Sequence, residues 1–487
     1  MSKRDNTCSL MWIFVLIAPF FMMIFSFIFR HWGWGLMDDM TILGSGSNFF
    51  ERTSNYFKGL LGFGEFKPLF AFHSGVFYTI FESHPKFFYV FKLFEIYLIL
   101  FIWGFAAYRF TGRRISIILV PAITLSFHYF YDAFFYLSAH EAIGLLFLGL
   151  SLHCCLSGVG LNHEKKMING SVLNKLNWVW VFLGIIFLIF SFGSKETFVS
   201  CGMAFGLSFL YLAIRIRKNV MLKKIIIIAI LIILASSFYA VFLMNRVKSG
   251  YTSGYDIKNF AKVMSNLKIW FKKDFINHLP WLIAVVLILF LESFEYKNKK
   301  YIINNSKEWG IVLGLLLYFG FLLILLPWNT VSYYATPLGL FFAFIISILI
   351  SEKIIKLKFR WQICLISFAL LLNMFICNYS LLRESTYQED TYNLMEWINH
   401  NHKIENFENN ILCNAMEASD AIPKYVNFKW NLGLASFKWS TNPNEKDNGK
   451  QFDYYLYSPR FGGINKNEIS GWEINFLTDN WIMYHRI

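Results

Sequence analysis

Long apolar segments follow one another along the whole chain, and short polar connections separate them. A helix rises about 1.5 Å per residue, so about 20 apolar residues match the hydrocarbon thickness of a bilayer. The first segment, from about Leu10 to Phe29, is too long for a signal-peptide core and has no small-residue cleavage site. We predict about eleven transmembrane helices, the other ten near 87–108, 115–131, 138–157, 177–193, 198–214, 225–244, 280–294, 309–327, 335–351 and 361–378.

The basic residues between these segments predict the orientation of the chain. With a cytoplasmic N-terminus the even-numbered connections are also cytoplasmic, where the positive-inside rule expects Lys and Arg. An odd number of helices then places the C-terminus on the exported side. The connections that fit this orientation carry Arg109, Arg113, Arg114, Lys165, Lys166, Lys175, Arg215, Arg217, Lys218, Lys223, Lys224, Lys297, Lys299, Lys300, Lys307, Lys353, Lys356, Lys358 and Arg360.

Three predicted exported segments are longer than a simple turn: about 30–86, about 245–279, and everything after Tyr379. The middle segment is basic, although the helix count places it outside. Two interpretations stay open: a solvated amphipathic segment on anionic lipid headgroups, or a path for a phosphorylated lipid. Its basic residues are Arg246, Lys248, Lys258, Lys262, Lys268, Lys272 and Lys273.

The tail after the last predicted helix is richer in Asn, Trp, Tyr and charged residues than the rest of the chain. Tyr387, Leu394 and Trp397 recur there at helical spacing, and the apolar run from Ile411 to Ala415 predicts a short strand. We therefore predict a small, separate α+β unit.

The composition indicates that the partner of this chain is a membrane rather than nucleic acid. Hydrophobic residues make up 56% of the 487 residues and charged residues only 16%, unlike a soluble globular domain. The formal charge of +14 would suggest nucleic acid as a partner in a soluble protein; here it follows membrane topology, and we expect no nucleic-acid partner. The prediction is an all-α polytopic membrane protein of the inner or plasma membrane, with a transmembrane domain at 1–380, exported loops at 30–86 and 245–279, and a small α+β exported C-terminal domain at 381–487.

Two adjacent carboxylates, Asp38 and Asp39, follow the first predicted helix, with Trp32 and Trp34 just before them. A carboxylate at the membrane surface is tolerated mainly where it lines a watery site or meets a cation, so this pair is a candidate site. The alternative is that the pair simply ends the helix in water and the indoles form an interfacial belt.

The same exported loop carries Phe66-Lys67-Pro68-Leu69, a lysine beside proline and apolar residues. Such a lysine suits the phosphate of a lipid whose tail lies in the membrane. An acidic pair after helix 1 followed by Lys-Pro-Leu resembles the C-type (GT-C) glycosyltransferases, in particular the polyprenyl-phosphate-sugar-dependent branch of aminoarabinose transferases and protein O-mannosyltransferases. That branch often has Lys-Pro-Pro-Leu, whereas this chain has one proline.

Three further stretches fit this resemblance. His140-Glu141 opens a predicted helix at the exported face, where the family commonly has an acidic residue, and Lys195-Glu196 is similar to the Lys-Glu pair of many members. Tyr333-Tyr334 and the proline after them are similar to the family's Arg-Tyr plus proline stretch, but the arginine is missing. Taken singly, each has a structural alternative: Lys195-Glu196 as a local ion pair, and His140-Glu141 as a charged helix N-terminus. The residues that could replace the missing arginine at the donor phosphate are Arg246 and the loop lysine Lys248.

The resemblance implies an inverting transfer of a sugar from a polyprenyl-phosphate donor to a glycan, lipid or protein acceptor in the cell envelope. Asp38 is the first candidate for the general base and Asp39 the second, while Lys67 would stabilise the departing phosphate. His140, Glu141, Lys195, Glu196, Tyr333 and Tyr334 would orient the acceptor or hold the cations. No cofactor is required; a divalent cation, Mg or Mn, is compatible with the carboxylates, and membrane lipids are the other partners.

Other functions stay open at this stage. A lipid-linked glycan flippase or another transporter would line its path with intramembrane charges, and inverted repeats, which we do not find, would support it. A polysaccharide polymerase or ligase would place its large catalytic loop late in the chain. A membrane acyltransferase would need a histidine, for which His73 and His140 are candidates.

Overall fold

The fold is that of a computed structural model, which describes most of the transmembrane helices and parts of the C-terminal unit. The described residues are 17–21, 23–24, 38–62, 65–82, 84–127, 130, 141–159, 177–216, 219–246, 260–295, 305–326, 335–354, 360–405, 411–415, 422, 438–447, 449–461 and 469–487.

Helices dominate the described part of the chain. We number them α1 to α14 in chain order: Asp38–Leu43, Phe49–Gly62, Pro68–Ile80, Pro85–Thr111, Ser116–Thr124, Glu141–Gly158, Trp178–Ser194, Phe198–Ile216, Asn219–Arg246, Phe260–Trp270, Ile276–Glu295, Asn305–Leu325, Thr336–Ile354 and Arg360–Glu405. A π-helical turn, Phe271–Phe275, joins α10 to α11.

Each of the ten predicted spans from 87–108 onward overlaps one of these helices. The first span, 10–29, is described only at 17–21 and 23–24, which are helical. Five helical segments in the described part are long and apolar enough to cross a membrane: Pro85–Thr111, Glu141–Gly158, Phe198–Arg215, Ile225–Leu243 and Ser306–Leu325, with shorter apolar helices at Trp178–Ser194, His278–Leu287 and Thr336–Ser351.

The surface of α4 shows why it belongs in lipid. Its exposed apolar side chains recur every three or four residues, which places them on one helix face. The opposite face is buried and carries two charged residues, Lys92 and Glu95. An apolar stripe facing outward and a polar pair facing inward is the arrangement expected in a bilayer. The exposed stripe consists of Phe87, Val90, Phe94, Leu98, Phe101 and Phe105.

The predicted exported loop 30–86 is mostly helical. The short helix α1 carries the acidic pair, and α2 and α3 pack against each other as a hairpin. The amphipathic α2 buries Arg52, Tyr56 and Leu60, one residue per turn. Helix α3 then packs against α7, so the loop is folded onto the transmembrane helices.

The C-terminal unit contains a five-stranded mixed sheet. Its strands, numbered β1 to β7 along the chain, are Ile411–Cys413, Lys438–Trp439, Lys446–Asp447, Lys450–Gln451, Tyr454–Tyr457, Trp472–Leu477 and Ile482–Arg486. The sheet order is β2-β1-β5-β7-β6, with β1 parallel to both neighbours, while β3 and β4 form a separate hairpin.

These observations confirm the predicted fold class: an all-α polytopic membrane protein with a small α+β unit at its C-terminal end. The predicted strand from Ile411 to Ala415 is found as β1. The predicted domain boundary at 380–381 falls within α14, which continues without a break from the last predicted span into the tail.

Candidate active site

Lys67 lies at the start of helix α3, in a position defined by the proline that follows it. Pro68 is the first helical residue, where its missing N–H group costs no hydrogen bond. The lysine side chain is only 4% exposed, and its Nζ lies 2.6 Å from Glu65 Oε2. Sequence reasoning selected Lys67 but missed Glu65, whose only signal is its position two residues before the lysine.

The segment that carries Lys67 is fastened to distant helices. The Phe66 N–H donates a hydrogen bond of 2.9 Å to Glu196 Oε1, and the Tyr239 hydroxyl donates one of 3.4 Å to the Phe66 carbonyl. Gly193 lies beside the first turn of α3, where a Cβ atom would be 3.6 Å from Leu69 Cβ. Glu196 thus holds the backbone next to Lys67.

A buried ion pair lies on the other side of Glu196. Lys195, which ends helix α7, donates through Nζ to Glu141 Oε1 at the start of α6. Both side chains are at most 2% exposed. Burial lowers the pKa of Lys195, whereas the Glu141 carboxylate opposes this change by stabilising the ammonium ion.

These residues converge into one charged cluster, which we define as Glu65, Lys67, Glu141, Lys195 and Glu196. The two lysines are close enough to interact electrostatically. Within the described residues, Glu141 Oε2 and Glu196 Oε2 are buried and accept no hydrogen bond. Unmatched buried charges are unfavourable by several kcal/mol, so such a cluster is retained mainly where a ligand completes it. It could bind an anion through its lysines and accept protons through its carboxylates.

Asp39 lies in a second buried network. Its carboxylate is 2% exposed and accepts a hydrogen bond of 2.5 Å from the Tyr78 hydroxyl. It also interacts electrostatically with Tyr89, whose hydroxyl is hydrogen-bonded to the side-chain amide of Gln388. Asp38 precedes Asp39 in helix α1, and the orientation of its side chain lies outside the described part of the structure.

The acidic pair and Lys67 lie toward opposite ends of helix α3. Tyr78, the partner of Asp39, comes eleven residues after Lys67, an axial separation of about 16 Å at the rise of an α-helix. Helical side chains lean toward the N-terminus of their own helix, so the Tyr78 side chain leans toward the end of α3 at which Lys67 lies. The described structure therefore places Asp39 on α1, which packs against α3, and near the end of α3 opposite to Lys67.

Arg52 connects the acidic helix to this hairpin, and sequence reasoning did not select it. The guanidinium is completely buried and donates to the Gly46 carbonyl at 2.7 Å and to Thr79 Oγ1 at 2.9 Å. It also forms an ion pair with Glu82 at 3.3 Å. The signal in the sequence is its spacing: Arg52 lies four residues before Tyr56 and eight before Leu60, on the same buried face of α2.

A third polar group lies between α3 and α4, and sequence reasoning selected only its His73, as a candidate for an acyltransferase, and missed its two charged members. Lys92 Nζ is 3.0 Å from Glu95 Oε2, and His73 Nε2 is 3.6 Å from Glu95 Oε1. Burial lowers the pKa of His73 to about 4, although Glu95 opposes the change. His73 is therefore neutral and weakly basic at neutral pH, which argues against it as the general base of an acyltransferase.

The remaining site residues predicted from the sequence have side chains that the structure does not describe. His140, Lys248, Tyr333 and Tyr334 lie outside the described residues, as does the side chain of Arg246. Among the described residues, no group of three or more His, Cys, Asp or Glu side chains is arranged to hold a metal ion.

Known proteins were compared by sequence and by structure. No protein-family model matches the chain, and no curated protein sequence matches it. The structure is similar to that of ArnT from Cupriavidus metallidurans bound to undecaprenyl phosphate, with a TM-score of 0.49 and 9% identity over 98% of each chain. It is similar to the apo state of the same protein with a TM-score of 0.49 and 9% identity, over 99% of this chain and 98% of that chain.

Proposed function

We propose that this protein is a membrane glycosyltransferase that moves a sugar from a polyprenyl-phosphate donor to an acceptor at the exported face. The observation that supports this proposal is the charged cluster at the start of helix α3. Two nearly buried lysines, Lys67 and Lys195, approach each other there on elements from distant parts of the chain. Each lysine is paired with a carboxylate, Lys67 with Glu65 and Lys195 with Glu141. An anionic ligand such as a lipid phosphate would therefore bind by replacing Glu65, the more exposed of these partners, at Lys67.

Lys67 is the proposed phosphate ligand. A cation and an anion 4 Å apart attract by about 4 kcal/mol at an effective dielectric constant of 20. Glu65 Oε2 lies 2.6 Å from Lys67 Nζ, so this carboxylate would compete with the donor phosphate for the ammonium group. Donor binding would draw Lys67 partly away from Glu65, and the lysine would then stabilise the charge that develops on the departing phosphate.

Asp38 is the proposed general base, which takes the proton of the acceptor hydroxyl during an inverting attack. Asp39 is the less favoured base, because its carboxylate is buried and already accepts a hydrogen bond from the Tyr78 hydroxyl. Its proposed role is to anchor helix α1 so that Asp38 is presented to the acceptor. The carboxylates nearest to Lys67, Glu65 and Glu196, are the competing candidates for the base.

The test is release of polyprenyl phosphate from a radiolabelled polyprenyl-phosphate sugar, in detergent, with a crude envelope acceptor. Asp38→Asn keeps the size of the side chain but cannot take a proton, so transfer should fall by about 10² or more while donor binding persists. Lys67→Ala should weaken both donor binding and turnover, because a cation beside phosphate acts in the ground state and the transition state alike.

Glu65→Gln and Glu196→Gln are the matched controls for Asp38→Asn, since each removes one carboxylate near Lys67. A loss of turnover with either control, combined with parental rates for Asp38→Asn and Asp39→Asn, would move the base into the charged cluster. A transporter would release no sugar from its carrier with any variant. Repeating the assay in EDTA tests the metal: we expect transfer to persist without a divalent cation.

We propose that the protein acts in the inner or plasma membrane with its N-terminus cytoplasmic and its C-terminal unit exported. The donor would enter from the membrane with its polyprenyl tail among lipids. The acceptor, a glycan, lipid or protein of the cell envelope, would approach from the exported side.

A further inference from the structure

We infer that Gln388 and Tyr89 position the acidic pair of helix α1, and that the C-terminal unit thereby helps to assemble the site. The inference rests on the proposed function and adds to it a set of positioning residues far away in the sequence. The network consists of Asp39, Tyr78, Tyr89 and Gln388, which we call the Asp39 network. Its members come from α1, α3, α4 and α14.

The Asp39 carboxylate interacts with two buried phenols, with one through a hydrogen bond and with the other electrostatically. The Tyr78 hydroxyl donates to it at 2.5 Å, and the Tyr89 hydroxyl interacts with it electrostatically. Both tyrosines are completely buried. Because water does not reach these groups, the direction of each hydroxyl dipole is determined by its protein neighbours, and an anion attracts the proton end.

Gln388 selects that direction at Tyr89. The amide nitrogen of Gln388 lies 3.0 Å from the Tyr89 oxygen and the amide oxygen lies 3.2 Å from it, so the amide can donate or accept. A tyrosine has a single hydroxyl proton. When Gln388 donates through Nε2, that proton is released to point toward Asp39, and both phenols then stabilise the carboxylate.

The C-terminal unit fixes the part of α14 on which Gln388 lies. Within one turn of Gln388, Asp390 Oδ2 accepts hydrogen bonds from the Asn480 backbone at 3.1 Å and from its side-chain amide at 2.7 Å. Thr391 Oγ1 accepts from the indole of the buried Trp481 at 3.0 Å. Docking of the C-terminal unit and orientation of Asp39 are therefore joined through a single turn of one helix.

The experiment compares purified variants in the polyprenyl-phosphate release assay. Gln388→Met keeps the shape of the side chain without its hydrogen bonds, and Tyr89→Phe removes one hydroxyl. Each should lower kcat by up to about tenfold, the lower end of the effect of a hydrogen bond to a charged group, because the Tyr89 hydroxyl interacts with Asp39 electrostatically. The donor KM should be unchanged. The acid limb of the kcat profile should move to higher pH, because the Asp39 carboxylate becomes easier to protonate and a protonated Asp39 would no longer anchor α1 and present Asp38.

The matched control is Tyr97→Phe on the same helix, which removes a hydroxyl that donates to the Phe20 carbonyl at 3.1 Å. It should retain the parental kcat and pH profile. The double variant Gln388→Met with Tyr89→Phe should be no worse than either single variant, because both remove one shared interaction. Thermal unfolding in detergent checks that each variant is folded.

The outcomes separate this inference from the proposed function. If the parent protein releases no polyprenyl phosphate, the proposed function is wrong. If the parent is active and folded Gln388→Met and Tyr89→Phe keep its kcat and acid limb, the positioning role is wrong while the function stands. Additive losses with an unmoved acid limb would also overturn the inference, because they indicate packing alone.

Discussion

At the scale of a residue, the ion pair of Lys195 and Glu141 allows a role in stability to be distinguished from a role in ligand binding. Both groups are buried, and removing one partner of such a pair leaves a charge without compensation, which is unfavourable by about 3–5 kcal/mol. Replacing both partners by apolar residues of similar volume is often neutral. A pair kept for the fold alone is therefore replaceable, whereas a pair kept for an anionic ligand is not.

We predict that Lys195→Met and Glu141→Leu each lower the unfolding temperature in detergent, whereas the double variant recovers most of it. Sugar transfer should be lost in Lys195→Met and should not recover in the double variant, because both lack the Lys195 ammonium group at the donor site. Thermal unfolding and the release assay, carried out on the same preparations, measure both effects. Full activity of the double variant would make this pair purely structural.

Individual residues of the site were predictable only where their local sequence was unusual. Lys67 precedes a proline between apolar residues, and Lys195-Glu196 lies between two long apolar runs, so the sequence alone identifies both as candidate site residues. Arg52 and Gln388 have ordinary neighbours in the sequence. Arg52 donates to Thr79 on α3, 27 positions away, and Gln388 is hydrogen-bonded to Tyr89 on α4, 299 positions away, and no local pattern contains such partners.

At the scale of elements, the hairpin of α2 and α3 supports the whole candidate site. Helix α3 carries Lys67 at one end and Tyr78 near the other, where Thr79 accepts a hydrogen bond from Arg52 of α2. The helices approach most closely at Gly75, where a Cβ atom would lie 1.8 Å from Thr53 Oγ1. The hairpin was predicted only as an exported loop, because its short helices are less apolar and less regular than the spans.

We predict that Gly75→Ala destabilises the protein by about 1–3 kcal/mol, since the added methyl group must push the two helices apart. Transfer should fall with it, because Lys67 and Tyr78 lie on the displaced helix. Gly59→Ala is the matched control on α2, where an added Cβ atom meets nothing within 4 Å. It should be neutral or stabilising by up to about 1 kcal/mol, since alanine favours helices.

These two variants are compared by thermal unfolding in detergent and by the release assay. Thr53→Gly combined with Gly75→Ala should recover stability, because it removes the side chain that the new methyl group meets. Equal unfolding temperatures for Gly75→Ala and Gly59→Ala would show that the hairpin tolerates separation.

At the scale of the whole molecule, the structure gathers the helix ends into two sets. Arg109 at the end of α4 donates to Ser157 near the end of α6, and Arg215 at the end of α8 pairs with Glu308 at the start of α12. The charged cluster joins the opposite ends of α6 and α7 to α3. The first set consists of ends predicted to be cytoplasmic and the second of ends predicted to be exported. The apolar pattern predicts this alternation well, because each span must cross the same bilayer.

Helix α14 extends this arrangement beyond the membrane. Its 46 residues span about 69 Å, more than twice the hydrocarbon thickness of about 30 Å. The C-terminal part of the helix must therefore leave the bilayer, and it carries the sheet with it. The sequence predicted a span and a separate helix here, because the polar residues after Tyr379 hide the continuity of the helix.

The orientation of the whole molecule is testable by single-cysteine labelling with a membrane-impermeant reagent in intact cells. Asn48→Cys in the α1–α2 connection and Glu445→Cys in the C-terminal unit replace exposed residues and should be labelled from outside. Arg113→Cys, exposed after α4, should be labelled only after the membrane is permeabilised. All seven native cysteines are replaced by serine or alanine in the background strain; Cys154, Cys155, Cys201 and Cys413 are buried. Labelling of position 113 from outside, or of position 445 only after permeabilisation, would overturn the predicted orientation and with it the exported location of the charged cluster.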